Sequence, residues 1–217
     1  LLHSNKPFKP NDLRLSMSQA KATFSTEHDL NTSEQQAFWQ SVVQDTLASA
    51  DGVTLAYMMV KHPQAHTAIV LSSGRVESYL KYQELVFDLY QQGYSVYAID
   101  HRGQGLSDRM TINPHMGHVR RFNDYIDDFA LFMQKIVLPQ NDKQLMLLGH
   151  SMGGAIGTLY LKQHPDIFTA AAFSAPMYGI KLPMPKAFVR WLASKLDTTL
   201  NGGEPNYVLA GQNYKPV

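Results

Sequence analysis

No cysteine occurs anywhere in the 217 residues of this chain. Disulfide bonds, thiolate nucleophiles and cysteine-ligated metal sites are therefore excluded. Charge is also scarce, since charged residues make up 17% of the chain and the formal net charge is +1. This balance gives no bulk attraction to nucleic acid or to a strongly acidic partner. The hydrophobic fraction of 44% is instead typical of a globular protein with a sizeable core.

Long apolar segments are missing as well. No apolar run approaches the roughly 20 residues that a membrane-spanning helix needs. The first residues, 1–7, contain no apolar core of a signal peptide. The sequence therefore predicts a cytoplasmic protein whose contact with the inner membrane, where it occurs, is peripheral.

The chain divides into three segments by pattern. Residues 1–40 are polar and irregular, and they end in a short helix that Thr32 or Ser33 caps. Residues 41–176 have the regular alternation of a folded core. Residues 177–217 leave that alternation, and we interpret them as the start of a helical cap.

Strand-favouring runs alternate with helix-favouring segments through the core. This alternation predicts an α/β fold with a mostly parallel sheet and helices on both faces. Ligands bind at the carboxyl ends of the strands in such sheets, so the residues that follow each strand are the first candidates for a site. The predicted strands are 53–60, 67–71, 94–99, 144–148 and 169–174, and the predicted helices are 78–92, 123–137 and 152–163.

A glycine-rich turn follows the strand at 144–148 and precedes a helix. Its sequence, Gly149-His150-Ser151-Met152-Gly153-Gly154, contains the pattern G-x-S-x-G. A nucleophile elbow requires this context, because a tight strand-to-helix turn leaves no room for flanking side chains. We therefore predict that Ser151 is a catalytic nucleophile. The alternative is an ordinary turn in which the serine caps the helix.

An acyl-transfer site also needs two backbone N–H donors for the oxyanion of its tetrahedral intermediate. The first candidate is the N–H of Met152, which directly follows the nucleophile. The second is the N–H of Arg75, which follows Gly74 in the loop after the strand at 67–71. The alternative for this loop is a plain turn with a solvated arginine.

The loop after the strand at 94–99 offers an acid and a base at Asp100 and His101. Both precede Ser151, whereas the chain order in this type of fold is serine, then acid, then histidine. We therefore interpret the loop as structural, with Asp100 and Arg102 in a local hydrogen-bond network. His164, which follows Ser151, falls at the far end of the nucleophile's helix.

With these motifs assembled, the chain resembles the bacterial lysophospholipases of the monoacylglycerol-lipase-like α/β-hydrolase family. The resemblance runs from about residue 35 to the end of the chain. The stretches that carry it are Gly74-Arg75-Val76-Glu77-Ser78-Tyr79, Asp100-His101-Arg102-Gly103-Gln104-Gly105, Arg121-Phe122-Asn123-Asp124-Tyr125, His150-Ser151-Met152-Gly153-Gly154 and Ala175-Pro176-Met177-Tyr178-Gly179-Ile180.

The resemblance implies release of a fatty acid from a lysophospholipid through an acyl-enzyme on Ser151, with the N–H groups of Met152 and Arg75 holding the oxyanion. This chemistry requires no cofactor and no metal. The resemblance also implies that the triad acid and histidine, with the C-terminal part of the core, lie outside this chain. Monoacylglycerol lipase, thioesterase and acyltransferase activities remain alternatives on the same fold. An inactive fragment or a non-catalytic binding protein is the alternative of another class.

Residues 186–196 predict an amphipathic helix within the cap. Phe188 and Trp191 share its apolar stripe, and Lys186 and Arg190 lie largely on the opposite side. Such a helix suits contact with a single-chain lipid or with a membrane surface. We therefore predict that Gly74, Phe188 and Trp191 contact the substrate. A cap helix packed on the core is the alternative, and no pattern indicates an oligomeric state.

Overall fold

A computed structural model describes residue 25, residues 32–179 and residues 185, 187, 188 and 191. The described residues form six strands, which are β1 Val43–Ala48, β2 Thr54–Val60, β3 Thr67–Ser72, β4 Ser95–Ile99, β5 Gln144–His150 and β6 Ala170–Ser174. They make one sheet in the order β1-β2-β4-β3-β5-β6. Strands β3, β4, β5 and β6 run parallel to one another, whereas β2 is antiparallel to β4 and β1 is antiparallel to β2.

Four α-helices flank the sheet in the stretch 32–179. They are α1 Ser33–Ser41, α2 Gln83–Gln91, α3 Phe122–Phe132 and α4 Met152–Gln163. Helix α1 begins where the sequence predicts, because the Thr32 hydroxyl accepts a hydrogen bond from the Gln35 N–H. In the part of the chain that is described, no helix is both long and apolar enough to cross a bilayer.

The core has two apolar layers, one on each face of the sheet. Alternate residues of β4 show the division, since Tyr97 and Ile99 pack in the layer beneath α3 and α4. Val96 and Ala98 face the other way, into the layer covered by α1 and α2. Because β4 is buried on both faces, the four residues after Ser95 are all hydrophobic and form a continuous run.

The elements differ from the sequence prediction at three places. Strand β1 is not predicted, because most of its side chains are exposed at the edge of the sheet and it lacks an apolar run. The first turn of the helix predicted at 78–92 is a 3₁₀ turn over Tyr79–Tyr82, and α2 starts after it. The helix predicted at 123–137 is α-helical only to Phe132 and continues as a π-helical turn over Met133–Val137.

The strand ends bring two of the predicted loops together. Strands β3 and β5 are parallel neighbours, and Ser72 lies opposite Gly149 at their carboxyl ends. The loop that contains Arg75 and the turn that contains Ser151 therefore leave the same edge of the sheet side by side. The helix predicted at 186–196 lies mostly outside the described residues, although residues 187, 188 and 191 are helical.

Candidate active site

Ser151 occupies the turn between β5 and α4 in a strained backbone conformation. Its φ is 49° and its ψ is −115°, a region that residues with a side chain rarely adopt. The Ser151 hydroxyl makes no capping hydrogen bond to the helix. The structure therefore does not show the ordinary capping serine that the sequence allowed as an alternative.

The peptide of Ser151 is hydrogen-bonded to the last residue of β6 and to the segment that follows it. Its N–H donates to the Ser174 carbonyl oxygen at 3.0 Å, and its carbonyl oxygen accepts from the Met177 N–H at 2.9 Å. Strain at a single residue persists only where the surroundings fix the backbone. These two hydrogen bonds provide that restraint from outside the turn.

Close backbone packing explains the glycines of the turn. A Cβ on Gly149 would come within 2.9 Å of the Gly154 Cα, and a Cβ on Gly153 would overlap the carbonyl oxygen of Ser72. Helix α4 thus lies directly against the end of β3. The serine is presented at the start of this helix, where the N–H groups of the first turn have no intrahelical acceptor. The Met152 N–H is the first of them.

The loop after β3 places Arg75 between two amides that are already hydrogen-bonded. The Gly74 N–H donates to Glu77 Oε2 at 2.7 Å, and the Val76 N–H donates to Gln104 Oε1 at 3.0 Å. The Arg75 N–H between them has no acceptor among the described residues. The side chain of Arg75 is exposed, and its guanidinium reaches the Gly117 carbonyl oxygen at 3.3 Å. The Arg75 N–H that the sequence predicts as an oxyanion donor is therefore unpaired among the described residues, and its role stays a prediction.

A polar cluster beneath this loop was not anticipated from the sequence. The carboxylate of Glu77 accepts hydrogen bonds from Gly74 N–H, Tyr82 Oη and Lys81 Nζ. Burial raises the pKa of Glu77, but these three donors together lower it below its ordinary value. His150 Nε2 lies 3.9 Å from Glu77 Oε1, so the imidazole is directed toward this cluster.

A cavity of about 220 Å³ opens next to this cluster at the ends of β3 and β5. Its lining is largely apolar, and a Cβ on Gly74 would stand 3.1 Å from His150 Cδ2. The cavity adjoins the turn of the nucleophile. Its lining residues are Leu71, Ser72, Ser73, Tyr82, Leu85, Leu148, Gly149, His150 and Ser174.

Asp100 and His101 are structural groups, as their place in the chain suggested. The Asp100 carboxylate accepts from Tyr79 N–H at 2.6 Å and from Leu106 N–H at 2.8 Å. His101 is completely buried, with Nε2 2.9 Å from Ser72 Oγ, and burial lowers its pKa to about 4. Neither group is directed at a reacting hydroxyl.

His164 lies too far along α4 to act on Ser151. It ends a helix of 12 residues that begins next to the nucleophile, a length of about 18 Å. Within the described part of the chain, no group of three or more His, Asp or Glu side chains is arranged to hold a metal ion.

Phe188 and Trp191 are exposed side chains in a segment of which little is described. Phe188 is 45% exposed and Trp191 is 55% exposed. Their rings lie 5.7 Å apart between centroids, so they form one apolar surface. Contact of this surface with a substrate stays a prediction, and Lys186 and Arg190 lie outside the described residues.

Comparison with known proteins gives matches over most of the chain. A family model described as serine aminopeptidase S33 matches residues 63–212. Lysophospholipase L2 of Escherichia coli K12 is 43% identical over 153 residues, which cover 70% of this chain and 45% of that protein. The probable lysophospholipase L2 of Haemophilus influenzae is 36% identical over 160 residues, covering 73% of this chain and 50% of that protein. The chain therefore spans about half the length of these curated relatives.

The fold is also that of known hydrolases. The solved structure of a highly thermostable carboxyl esterase from Bacillus coagulans matches with a TM-score of 0.58 at 18% identity. The match covers 72% of this chain and 50% of that one. At this identity the likeness concerns the fold alone, and it confirms the α/β-hydrolase fold predicted from the sequence.

Proposed function

Because this chain belongs to the serine aminopeptidase S33 family of hydrolases, we propose that it supplies the nucleophile and the oxyanion hole of a carboxylic-ester hydrolase. The observation that carries the proposal is the strained turn at Ser151. A plain strand–turn–helix unit does not require the φ of 49° at Ser151, whereas this conformation suits a nucleophile that must project above the sheet. We propose that the complementary donors are the Met152 N–H, which directly follows the nucleophile, and the Arg75 N–H, from the loop at the neighbouring end of β3.

The proposed reaction is acyl transfer through a covalent intermediate. The Ser151 oxygen attacks the acyl carbonyl, and its proton passes to a histidine base and then to the departing alcohol oxygen. The N–H groups of Met152 and Arg75 stabilise the oxyanion in each half-reaction. Water then attacks the acyl-enzyme and releases the fatty acid. We propose that the histidine and its acidic partner lie outside these 217 residues, because His101 is buried against Ser72, His150 lies beside Glu77 and His164 is at the far end of α4.

We propose a lysophospholipid as the substrate. Support comes from the two relatives, which carry the name lysophospholipase L2. The exposed pair of Phe188 and Trp191 would contact the acyl chain or a membrane surface peripherally, because rings of this kind are favoured at a lipid interface. Gly74 would line the site beside the oxyanion loop.

The nucleophile is tested by the intact mass of the full-length protein, which is proposed to carry the histidine base, after incubation with a fluorophosphonate. We expect one adduct that is lost in Ser151→Ala and retained in Ser95→Ala, a matched buried serine in β4. An adduct that survives in Ser151→Ala would contradict the assignment. A wild-type protein that is folded by circular dichroism but forms no adduct would contradict the hydrolase proposal.

The substrate is tested by rates on lysophosphatidylcholine and on monoolein at equal concentration. A higher kcat/KM for lysophosphatidylcholine is the expected result. An equal or reversed preference would favour the monoacylglycerol alternative, and a faster rate on a matched acyl thioester would favour a thioesterase.

A further inference from the structure

The side-chain carboxamide of Gln104 forms hydrogen bonds with the loop that contains Arg75. Its Nε2 donates to the Gly74 carbonyl oxygen at 2.7 Å and to the Glu77 carbonyl oxygen at 3.1 Å. Its Oε1 accepts from the Val76 N–H at 3.0 Å. One carboxamide therefore holds backbone atoms on both sides of Arg75, across about 30 residues of sequence.

The loop needs such a restraint because its backbone is strained. Val76 has a φ of 60°, which is a genuine outlier for a β-branched residue. A strained residue relaxes unless several contacts fix it. The hydrogen bond from the Val76 N–H to Gln104 is the contact made by the strained residue's own peptide.

Gln104 is itself held rigidly. It is 5% exposed, and its N–H donates to the His101 carbonyl oxygen at 3.2 Å. The glycines on either side permit close packing, since a Cβ on Gly105 would overlap the Asp100 carboxylate and a Cβ on Gly103 would stand 2.8 Å from the His118 carbonyl oxygen. The carboxamide of Gln104 is therefore held in one position, unlike that of a mobile surface glutamine.

We propose that Gln104 is a positioning residue for the oxyanion hole. By fixing Gly74, Val76 and Glu77, it leaves the Arg75 N–H unbonded between two bonded amides and directs it to the edge of the sheet where Ser151 lies. This inference rests on the proposed function, because Arg75 matters only where an oxyanion forms. Gln104 touches no reacting atom and acts through the loop.

Two variants separate the roles of the carboxamide. Gln104→Glu keeps an acceptor for the Val76 N–H but turns a carboxylate oxygen toward two carbonyl oxygens, and Gln104→Met keeps the length without polar atoms. Ser107→Ala is the matched control. Its hydroxyl is equally buried in the same loop, but it bonds Ala56 N–H and the Asp100 carbonyl oxygen instead.

Steady-state kinetics of the full-length protein give the first readout. Displacing an oxyanion donor affects the transition state and not substrate binding, so we expect both Gln104 variants to lower kcat by about 10- to 100-fold with KM nearly unchanged. Ser107→Ala is expected to keep kcat within about twofold. A kcat that stays within twofold in both Gln104 variants, or falls equally in Ser107→Ala, would overturn the proposal.

Hydrogen exchange gives a second readout that does not depend on turnover. We expect faster amide exchange across residues 74–77 in Gln104→Met than in the wild type or Ser107→Ala. Unchanged exchange would overturn the positioning role even in an active enzyme. A wild-type protein without esterase activity would instead overturn the proposed function, while the exchange measurement still decides whether Gln104 holds the loop.

Discussion

The imidazole of His101 is completely buried, and its Nδ1 has no hydrogen-bond partner among the described residues. Burial lowers its pKa from 6.5 to about 4, so the folded protein keeps it neutral where the unfolded chain would protonate it. The contribution of this neutral form to the free energy of unfolding is fully present above pH 6.5. It is lost progressively as the pH falls from 6.5 toward 4, by roughly 3 kcal/mol in all.

We predict that His101→Gln weakens this acid sensitivity. The free energy of unfolding, measured in urea between pH 7 and pH 4, should fall less steeply in His101→Gln than in the wild type. His66→Gln, which changes an exposed imidazole, should retain the wild-type slope. Equal slopes in the wild type and in His101→Gln would contradict the buried neutral state.

At the scale of residues, the sequence predicts what lies within one short stretch. The turn around Ser151 was predicted because its glycines and its flanking elements are contiguous in the chain. The contacts of Gln104 with Gly74 and Glu77 were not predicted, because no local pattern shows which distant loop a buried amide will meet. The cluster of Glu77, Tyr82 and His150 was missed for the same reason, since β3 and β5 must first pair.

The turn between β1 and β2 is joined to α3 by the guanidinium of Arg102. Its Nε and Nη2 bind the two carboxylate oxygens of Asp128 at 2.6 and 2.7 Å, and its Nη1 binds Asp51 at 2.8 Å. The environments of the two acids differ, because the side chain of Asp128 is 2% exposed and that of Asp51 is 58% exposed. The two salt bridges therefore differ in how strongly water screens them.

We predict that Asp128→Asn lowers the free energy of unfolding by on the order of 3 kcal/mol, because it removes the one carboxylate that is buried together with the guanidinium of Arg102. Asp51→Asn, which alters the screened salt bridge of the same arginine, should lower it by less than about 1 kcal/mol. Urea denaturation at pH 7 measures both values. A larger loss of unfolding free energy in Asp51→Asn than in Asp128→Asn would contradict this ranking of the two salt bridges.

At the scale of elements, apolar periodicity predicts the buried strands and helices and fails at exposed ones. Helix α4 has the bounds that the sequence predicted, since its start is fixed by the elbow. Strand β1 was missed because hydrogen bonds to β2, and not burial of its side chains, hold it in place. The π-helical turn after α3 has no signature in the order of the residues.

At the scale of the whole molecule, the edge of the sheet at β6 differs from the edge at β1. Strand β6 pairs only with β5 among the described strands, and Ala170, Ala171 and Ala172 are exposed although they follow a parallel ladder. Small apolar residues on a parallel strand are ordinarily covered. We propose that further strands, carrying the triad acid and the histidine, pair with this edge.

This proposal predicts that the 217-residue chain associates with itself through β6, because a strand edge that no described strand pairs with is a template for pairing. Sedimentation velocity at increasing protein concentration should show this association, and Ala171→Lys should reduce it. Thr46→Lys in β1, at the opposite edge, is the control and should have little effect. Association that Ala171→Lys leaves unchanged would argue against an open edge at β6.

The two hydrogen bonds to the Ser151 peptide come from Ser174, which is the last residue of β6, and from Met177, which is the first residue of the segment that we interpret as the cap. A displacement of residues 174–177 would lengthen both hydrogen bonds and release the backbone restraint on Ser151. The direction of the Ser151 oxygen is therefore mechanically coupled to the position of the chain where it leaves β6.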